Sequence, residues 1–428
     1  MSDLKVLLVN FHSSRNAGDA ALLEASLIQL REAFNQPHLI VSANYPKEDY
    51  LSNLNIEVIP SPDALISIHR WKFLQVFSFI IGLISSLIIR VMGQGWLLIV
   101  HPKWRPLLKT YQQVDLVVGC PGNQYFSMGR FGWPLFVSGF SVFLAHLFGK
   151  PFYVLPQSSG PFNRWWEKRL MKWLYGRARL VLLRERGSLL LLKNLGIPSS
   201  NLRYIPDPAF SLPASSPRDS RNKLFPESPS SIRENGAIGV TAITRMVRTL
   251  DAERFEPYYQ SMAGVLRFMV EKYGVKIVFF PQVTGPTKKE DDRIAAEIIA
   301  GKMREIRDNL ILLDQPCAPG TLKSLYSQMD IFIASRLHSG IFSLSMNVPT
   351  LFIGYLTKTR YILETLDLQE WLVELENLDE TQLLRKLEIL WLQRKEIQFK
   401  LKAMMPEIIQ ESRLAGGLIA QDYYNGRD

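Results

Sequence analysis

Cysteine is almost absent from this chain: Cys120 and Cys317 are the two among 428 residues. Two thiols cannot build a disulfide framework, and neither stands in metal-ligand spacing, so a reducing compartment and a metal-free fold are expected. The opening MSDLKVLLVNF lacks the basic stretch, long apolar run and small-residue cleavage site of a signal peptide. It reads as a first β-strand, and a cytoplasmic location is expected. Low-complexity tracts and short-period repeats are also missing, and 47% hydrophobic with 21% charged residues is the balance of an ordinary globular protein. No zinc-finger spacing or nucleic-acid module accompanies the formal charge of +10. That charge therefore points to phosphorylated substrates or an acidic membrane surface, and not to nucleic acid.

What is present is an alternation. Lys5–Phe11, Leu39–Ala43, Ile56–Ile59, Leu116–Gly119, Phe152–Leu155, Leu180–Leu183 and Arg203–Ile205 read as strands, with helical spacing between them, as in Asp19–Phe34. Continuous apolar strands alternating with helices predict a parallel sheet covered on both faces. The pattern lapses over Ser211–Asn235, rich in Ser, Pro, Arg and Asn, and then resumes. Ile238–Ala242, Lys276–Phe280, Leu310–Leu313, Ile331–Ala334 and Thr350–Ile353 form the second set. The expected organisation is α/β with two Rossmann-like domains: residues 1–212, a linker 213–235, residues 236–362, and a mostly helical tail 363–428. Sites in such sheets gather at the C-terminal ends of strands, here expected to face an interdomain cleft.

An apolar insertion, about 63–110, interrupts the first domain. Phe73–Ile89 is almost wholly apolar, flanked by Arg70, Lys72 and Arg90, and is followed by the tryptophan-bearing, basic stretch Trp96–Leu108. Its length of about 17 residues is at the lower limit for a membrane span. Three readings stand: a buried core or interface helix pair, an interfacial or re-entrant anchor on a membrane, and a single span. The span is topologically awkward, because the strands on either side belong to one sheet.

The residues suited to chemistry sit at strand ends. Ala334-Ser335-Arg336-Leu337-His338 follows a strand and opens a helix, where backbone N–H groups meet anions. Arg336 can grip a carboxylate or phosphate with both arms of its guanidinium, and His338 can donate to an anion or move a proton near neutral pH. A surface ion pair beside a packed histidine is the plain alternative. After the first strand, Asn16-Ala17-Gly18-Asp19 offers a glycine turn and an aspartate that either caps the next helix or acts chemically. Gly119-Cys120-Pro121-Gly122 is a turn that either serves structure or touches ligand, and Gln157 and Ser158 close another strand with groups suited to sugar hydroxyls.

Read together, these blocks resemble the polysaccharide pyruvyl transferase family. Asp330–Lys358 carries that family's aspartate, strand, Arg-Leu-His, helix, Val-Pro strand and Tyr-x-x-Lys, the last as Tyr355 and Lys358. Asn16–Asp19, Gly119–Asn123, Gln157–Pro161, Arg184–Ser188, Asp207–Phe210, Thr244-Arg245 and Asp291-Asp292 follow the family's order. Arg15, Ala20, Pro121 and Leu356 are departures from it. The resemblance implies a pair of glycosyltransferase-B-like domains and phosphoenolpyruvate as donor substrate, with no cofactor. It places Arg336, Arg245 and Lys358 on the donor, with Tyr355 beside them, and His338 at proton delivery. Asp19 or Asp207 would be the base, and Asn16, Gly18, Gly122, Gln157 and Ser158 would contact substrates. Asp291-Asp292 is read as helix-start charge and Arg184 as an ion-pair partner. The expected acceptor is a saccharide, free or lipid-linked, of a cell-surface or exopolysaccharide precursor, handled at the inner face of the plasma membrane. A nucleotide-sugar glycosyltransferase and a non-catalytic glycan- or lipid-carrier-binding protein are the rival readings.

Overall fold

The computed structural model describes residues 4–68, 71–93, 100–127, 132–216, 235–244 and 255–426. Arg70, Trp96, Arg245 and most of the expected linker lie outside them. The chain divides into two compact units. One comprises Met1–Ser14, Leu22–Pro208 and Ser412–Asp428; the other comprises Arg15–Ala21 and Ala209–Glu411.

The first unit runs β1 (Lys5–Phe11), α1 (Ala17–Ala33), β2 (His38–Ala43), α2 (Asp49–Ser52), β3 (Glu57–Pro60), α3 (Pro62–Ser67), α4 (Lys72–Met92) and α5 (Arg105–Gln113). It continues β4 (Leu116–Gly119), β5 (Gly122–Tyr125), α6 (Trp133–Leu147), β6 (Phe152–Ser159), α7 (Trp165–Tyr175), β7 (Leu180–Leu183), α8 (Arg186–Asn194) and β8 (Leu202–Tyr204). Eight parallel strands form its sheet in the order β3-β2-β1-β4-β6-β7-β8, with β5 also paired to β6. Successive residues of a strand point to opposite faces, and the packing follows that alternation. Leu7 and Val9 of β1 and Val117 of β4 face Trp104, Phe140, Met171 and Leu192 from α5 to α8 and the turn before α5. Val6, Leu8 and Val118 face Leu23, Leu27 and Leu30 of α1.

β5 was not expected. It resumes the line of β4 beside β6 after Pro121, which has no N–H to donate to a ladder, and Gly122 makes the break at φ +131°. Nothing in its GNQY sequence has strand periodicity.

The second unit runs β9 (Ala237–Thr241), α9 (Phe255–Tyr273), β10 (Lys276–Phe279), α10 (Asp292–Gly301), β11 (Leu310–Leu312), α11 (Pro319–Tyr326), β12 (Ile331–Ala334), α12 (Leu337–Ser345) and β13 (Thr350–Gly354). It ends with α13 (Thr357–Thr365), β14 (Leu372–Glu374), α14 (Glu380–Leu392) and α15 (Arg394–Ser412). Its parallel sheet has the order β11-β10-β9-β12-β13-β14. The tail is thus not simply helical: β14 adds a sixth strand. The last helix, α16 (Leu414–Asn425), belongs to the first unit, with Ala415, Ile419 and Tyr423 packed in the α1 layer. Ala209–Leu212 are held in the second unit by buried Lys323 of α11, whose ammonium donates to the carbonyls of Ala209, Phe210 and Leu212 at 3.1, 3.1 and 2.6 Å.

Candidate functional site

Strand order reverses between β1 and β4 in the first sheet and between β9 and β12 in the second. Ligands of open α/β sheets bind at such switch points, outside the carboxyl ends of the strands. In the second unit Arg336 and its partner Asp292 lie there.

Arg336 follows β12 and caps α12 in extended conformation. Its Nε donates to Asp292 Oδ1 at 3.1 Å and its Nη2 to the same oxygen at 2.6 Å, and Nη1 lies 3.5 Å from the Tyr355 hydroxyl. The two-armed grip expected for a substrate anion is therefore taken by Asp292. One N–H of Nη1, whose other donates to Tyr355, and the second N–H of Nη2 are what Arg336 has left to offer. Asp292, the first residue of α10, also accepts from the Val283 N–H at 2.9 Å and is buried. Burial pushes its carboxyl up to about 6, while the Arg336 guanidinium pulls it down. At neutral pH the pair is ionised. Burial opposes the charge of Arg336, but Asp292 beside it holds its pKa above the ordinary value.

Asp291 and Asp292 were read together as helix-start charge. Asp291 does cap α10, accepting from the Arg293 N–H at 3.1 Å. Asp292 turns inward to Arg336 instead. Its signal was the family's paired aspartates; its partner, 44 residues away in sequence, gave none.

His338 lies in the first turn of α12, almost fully buried. Gly18 packs against its ring so closely that a Cβ there would stand 2.2 Å from Nδ1. The stretch Arg15–Ala21 is held in the second unit by backbone bonds: the Ala17 N–H donates to the Gln282 carbonyl and the Thr284 N–H to the Arg15 carbonyl, both at 2.9 Å. Asn16 bridges Val283 and accepts from the Gly18 N–H at 3.0 Å. This corrects the capping expectation. Asn16 covers the start of α1, while Asp19 sits half-buried in the first turn with no hydrogen bond or ion pair among the described residues. Tyr355 follows β13, and Lys358 lies in the first turn of α13.

Gln282 lies just past β10, and the sequence marks it as a strand end without a role. Its Oε1 accepts from Tyr326 at 2.7 Å, and its buried Nε2 has no hydrogen-bond partner among the described residues. A buried donor without a protein partner suits a ligand oxygen. Burial raises the Tyr326 phenol, which stays a neutral donor.

The first unit gathers the other candidates. Gly122 is paired in register with Gln157, whose Oε1 accepts from Tyr175 at 3.3 Å and whose buried Nε2 has no partner among the described residues. The Ser158 hydroxyl is already engaged, accepting from Arg184 Nε at 2.8 Å and donating to Glu185 at 3.2 Å. Asp207 accepts from Arg184 Nη1 at 2.7 Å, and both side chains are buried. A carboxylate fixed in a buried ion pair is poorly placed to take a proton, and this geometry gives Asp207 a structural part. Arg245 lies outside the described residues.

The chain is 23% identical over 425 residues to the amylovoran biosynthesis protein AmsJ of Erwinia amylovora, covering 98% of this chain and 99% of that protein. Among solved structures it resembles the UDP-GlcNAc 2-epimerase of Neisseria meningitidis bound to UDP-GlcNAc, at a TM-score of 0.62 and 13% identity, covering 99% of this chain and all of the other. Anabaena Alr3699/HepE in complex with UDP-glucose matches at 0.59 and 12%, covering 99% of both chains. These similarities establish the two-domain glycosyltransferase-B-like fold. The family model for polysaccharide pyruvyl transferase matches residues 16–357, from the asparagine that covers α1 to the start of the helix bearing Lys358, and the chain belongs to that family.

Proposed function

We propose that this chain transfers a pyruvyl group from phosphoenolpyruvate to two hydroxyls of a saccharide, free or lipid-linked, in the assembly of an exopolysaccharide or cell-surface polymer. The observation that carries the reading is the cluster of Arg336, Asp292, Tyr355, His338 and Gly18 at the switch point of the second sheet, within the family match. Arg336 and Lys358 face the donor's carboxylate and phosphate, with Arg245 as a third cation from the sequence. Such pre-aimed charges stabilise a transition state without reorganising.

Gly18 occupies the Nδ1 side of His338, so Nε2 is the atom assigned to proton delivery. The proton goes to the methylene carbon of phosphoenolpyruvate, and C2 becomes cationic. A sugar hydroxyl attacks C2 as Asp19 takes its proton. Inorganic phosphate then leaves, carrying off the second hydroxyl's proton as that oxygen closes the cyclic ketal. Gln282 and Gln157, each with a buried Nε2 to donate, are assigned to substrate oxygens.

The test is incubation with phosphoenolpyruvate and a glycan bearing a suitable diol, following phosphate by colorimetry and the ketal by NMR. One phosphate per ketal is expected, and Arg336→Ala and His338→Ala should each lower kcat/KM by about 10²–10⁴. Wild-type rates in both variants would sink the proposal. The complex of HepE with UDP-glucose on the same fold favours one second reading, transfer from a nucleotide sugar. Release of UDP from a UDP-sugar without phosphoenolpyruvate would select it.

A further inference from the structure

Helix α4 turns a row of large apolar residues outward. Its small residues Ser78, Gly82, Ser85 and Ser86 face the first unit. A Cβ at Gly82 would stand 2.5 Å from the Trp104 indole, so the helix lies tight against its neighbours. Phe73, Phe77, Ile80, Ile84, Leu87 and Val91 face outward, and three of them, Phe73, Phe77 and Val91, are 67, 60 and 83% exposed. Their spacing of four, three, four, three and four residues makes one unbroken stripe along a helix about 31 Å long. A contiguous apolar stripe of that length marks an interaction site. The other side of α4 packs on the core of the first unit through Ile89 and, in part, Phe79, Ile81 and Leu83, so the helix is buried on one face and bare on the other.

The charge around the stripe identifies what meets it. Residues 71–177, one quarter of the chain, hold twelve Lys and Arg against two acids, Asp115 and Glu167. The remaining three quarters therefore hold 38 of each sign, and the whole formal +10 of the chain resides in this quarter. Lys72 and Arg90 are exposed at the two ends of α4. The stripe continues sideways: Phe79 packs on Phe136 of α6, itself 40% exposed, and Phe136 packs on Trp166 of α7. On α7 the cations are exposed, with Arg169 over the Trp165 ring at 5.7 Å and Arg177, just past the helix, over Trp173 at 4.6 Å. Arg169, Lys172 and Arg177 together line an open recess of about 620 Å³.

A second copy of this chain on the same face would set cations against cations. A bilayer with anionic headgroups answers both the stripe and the charge, and tryptophans paired with cations are what a lipid interface recruits. A span does not fit, because α4 is fastened along its length. The Ser78 hydroxyl donates to the Leu65 carbonyl, Phe79 packs on Phe136 and Phe140, and the strands before and after α4 share one sheet. We infer that α4 and the outward sides of α6 and α7 form a docking face for an anionic phospholipid bilayer, with α4 lying flat at the headgroup–acyl boundary. This goes beyond the pyruvyl-transfer reading and stands without it.

The test is cosedimentation of the full chain with extruded vesicles of phosphatidylcholine alone or with one quarter phosphatidylglycerol, at low and high salt. Binding should be tighter on the anionic vesicles and weaken with salt, and Arg169→Gln and Lys172→Gln should each weaken it by roughly fivefold. Phe77→Asp with Ile84→Asp should lower binding at least about tenfold while circular dichroism stays native. With the wild-type chain, a phosphatidylglycerol carrying a photoreactive acyl chain should label residues 72–92. Absence of binding to anionic vesicles, unchanged binding of the Phe77/Ile84 variant, or labelling confined elsewhere overturns the inference. So does a lipid-free dimer that the same variant dissolves, which would give the face to a second copy.

Discussion

Arg336 meets an incoming anion with its charge already shared, since Nε and Nη2 are spent on Asp292. A carboxyl pushed up to about 6 takes a proton as pH falls through that value. Below it Arg336 loses its counter-charge, and anion affinity should rise. Sulfate keeps one charge over this range and is the probe. Asp292→Asn should bind sulfate on the order of tenfold more tightly than wild type at pH 8, with the gap closing below about pH 6. Equal affinities at pH 8, read by calorimetry, would show that Asp292 does not govern the cation. Gly18 carries a separate prediction. Gly18→Ala puts a methyl 2.2 Å from His338 Nδ1, so the ring must move. A displacement of about 1 Å costs up to roughly a hundredfold in rate, and the variant should lose kcat more than KM while its far-ultraviolet spectrum stays unchanged. An unaffected kcat would detach His338 from proton transfer.

At the scale of elements, α4 separates what composition reveals from what packing decides. Its length and apolarity are plain in the sequence; which face it buries is not, because that face carries Ser78, Gly82, Ser85 and Ser86 beside Ile89, with Gly82 tight against Trp104. Gly82→Ala should therefore lower stability by about 1–3 kcal/mol through overpacking. Ile84→Ser, on the outward stripe, should stay within about 0.5 kcal/mol, and urea unfolding compares the two. The reverse order would mean the helix faces the other way. Most strands were legible for a simple reason: continuous burial in a doubly covered sheet demands continuous apolar runs, as in β1 and β12. β5 escaped because it is polar and broken off by Pro121, and β14 because its three residues stand between two short helical turns in a stretch that reads as helical. The site was legible where its residues are near in sequence, as from Arg336 to Lys358. It was illegible where the fold recruits a distant partner, as Asp292 to Arg336, whereas Arg184 was legible as an ion-pair residue and only its partner Asp207 was not.

For the whole molecule, chain order and unit membership part company at both ends. Ser412–Asp428 returns to the first unit, where Ala415, Ile419 and Tyr423 fill the α1 layer and Asp422 accepts from the Tyr153 hydroxyl at 2.8 Å. Ending the chain at Glu411 removes several fully buried side chains, each worth about 1–3 kcal/mol, a sum comparable to the stability of a whole domain. Soluble yield and the thermal transition of the first unit should collapse. A truncated chain that melts like the full one would make α16 dispensable. The Arg15–Ala21 stretch has the converse relation to the second unit. A fragment 209–411 carries Arg336, His338, Tyr355 and Asp292, yet it lacks the glycine that lies on the histidine and the backbone that pairs with Gln282–Thr284. The second unit is consequently not a heritable block. Recombination between relatives at the chain's midpoint would set one parent's loop against the other parent's histidine, so the two must descend together.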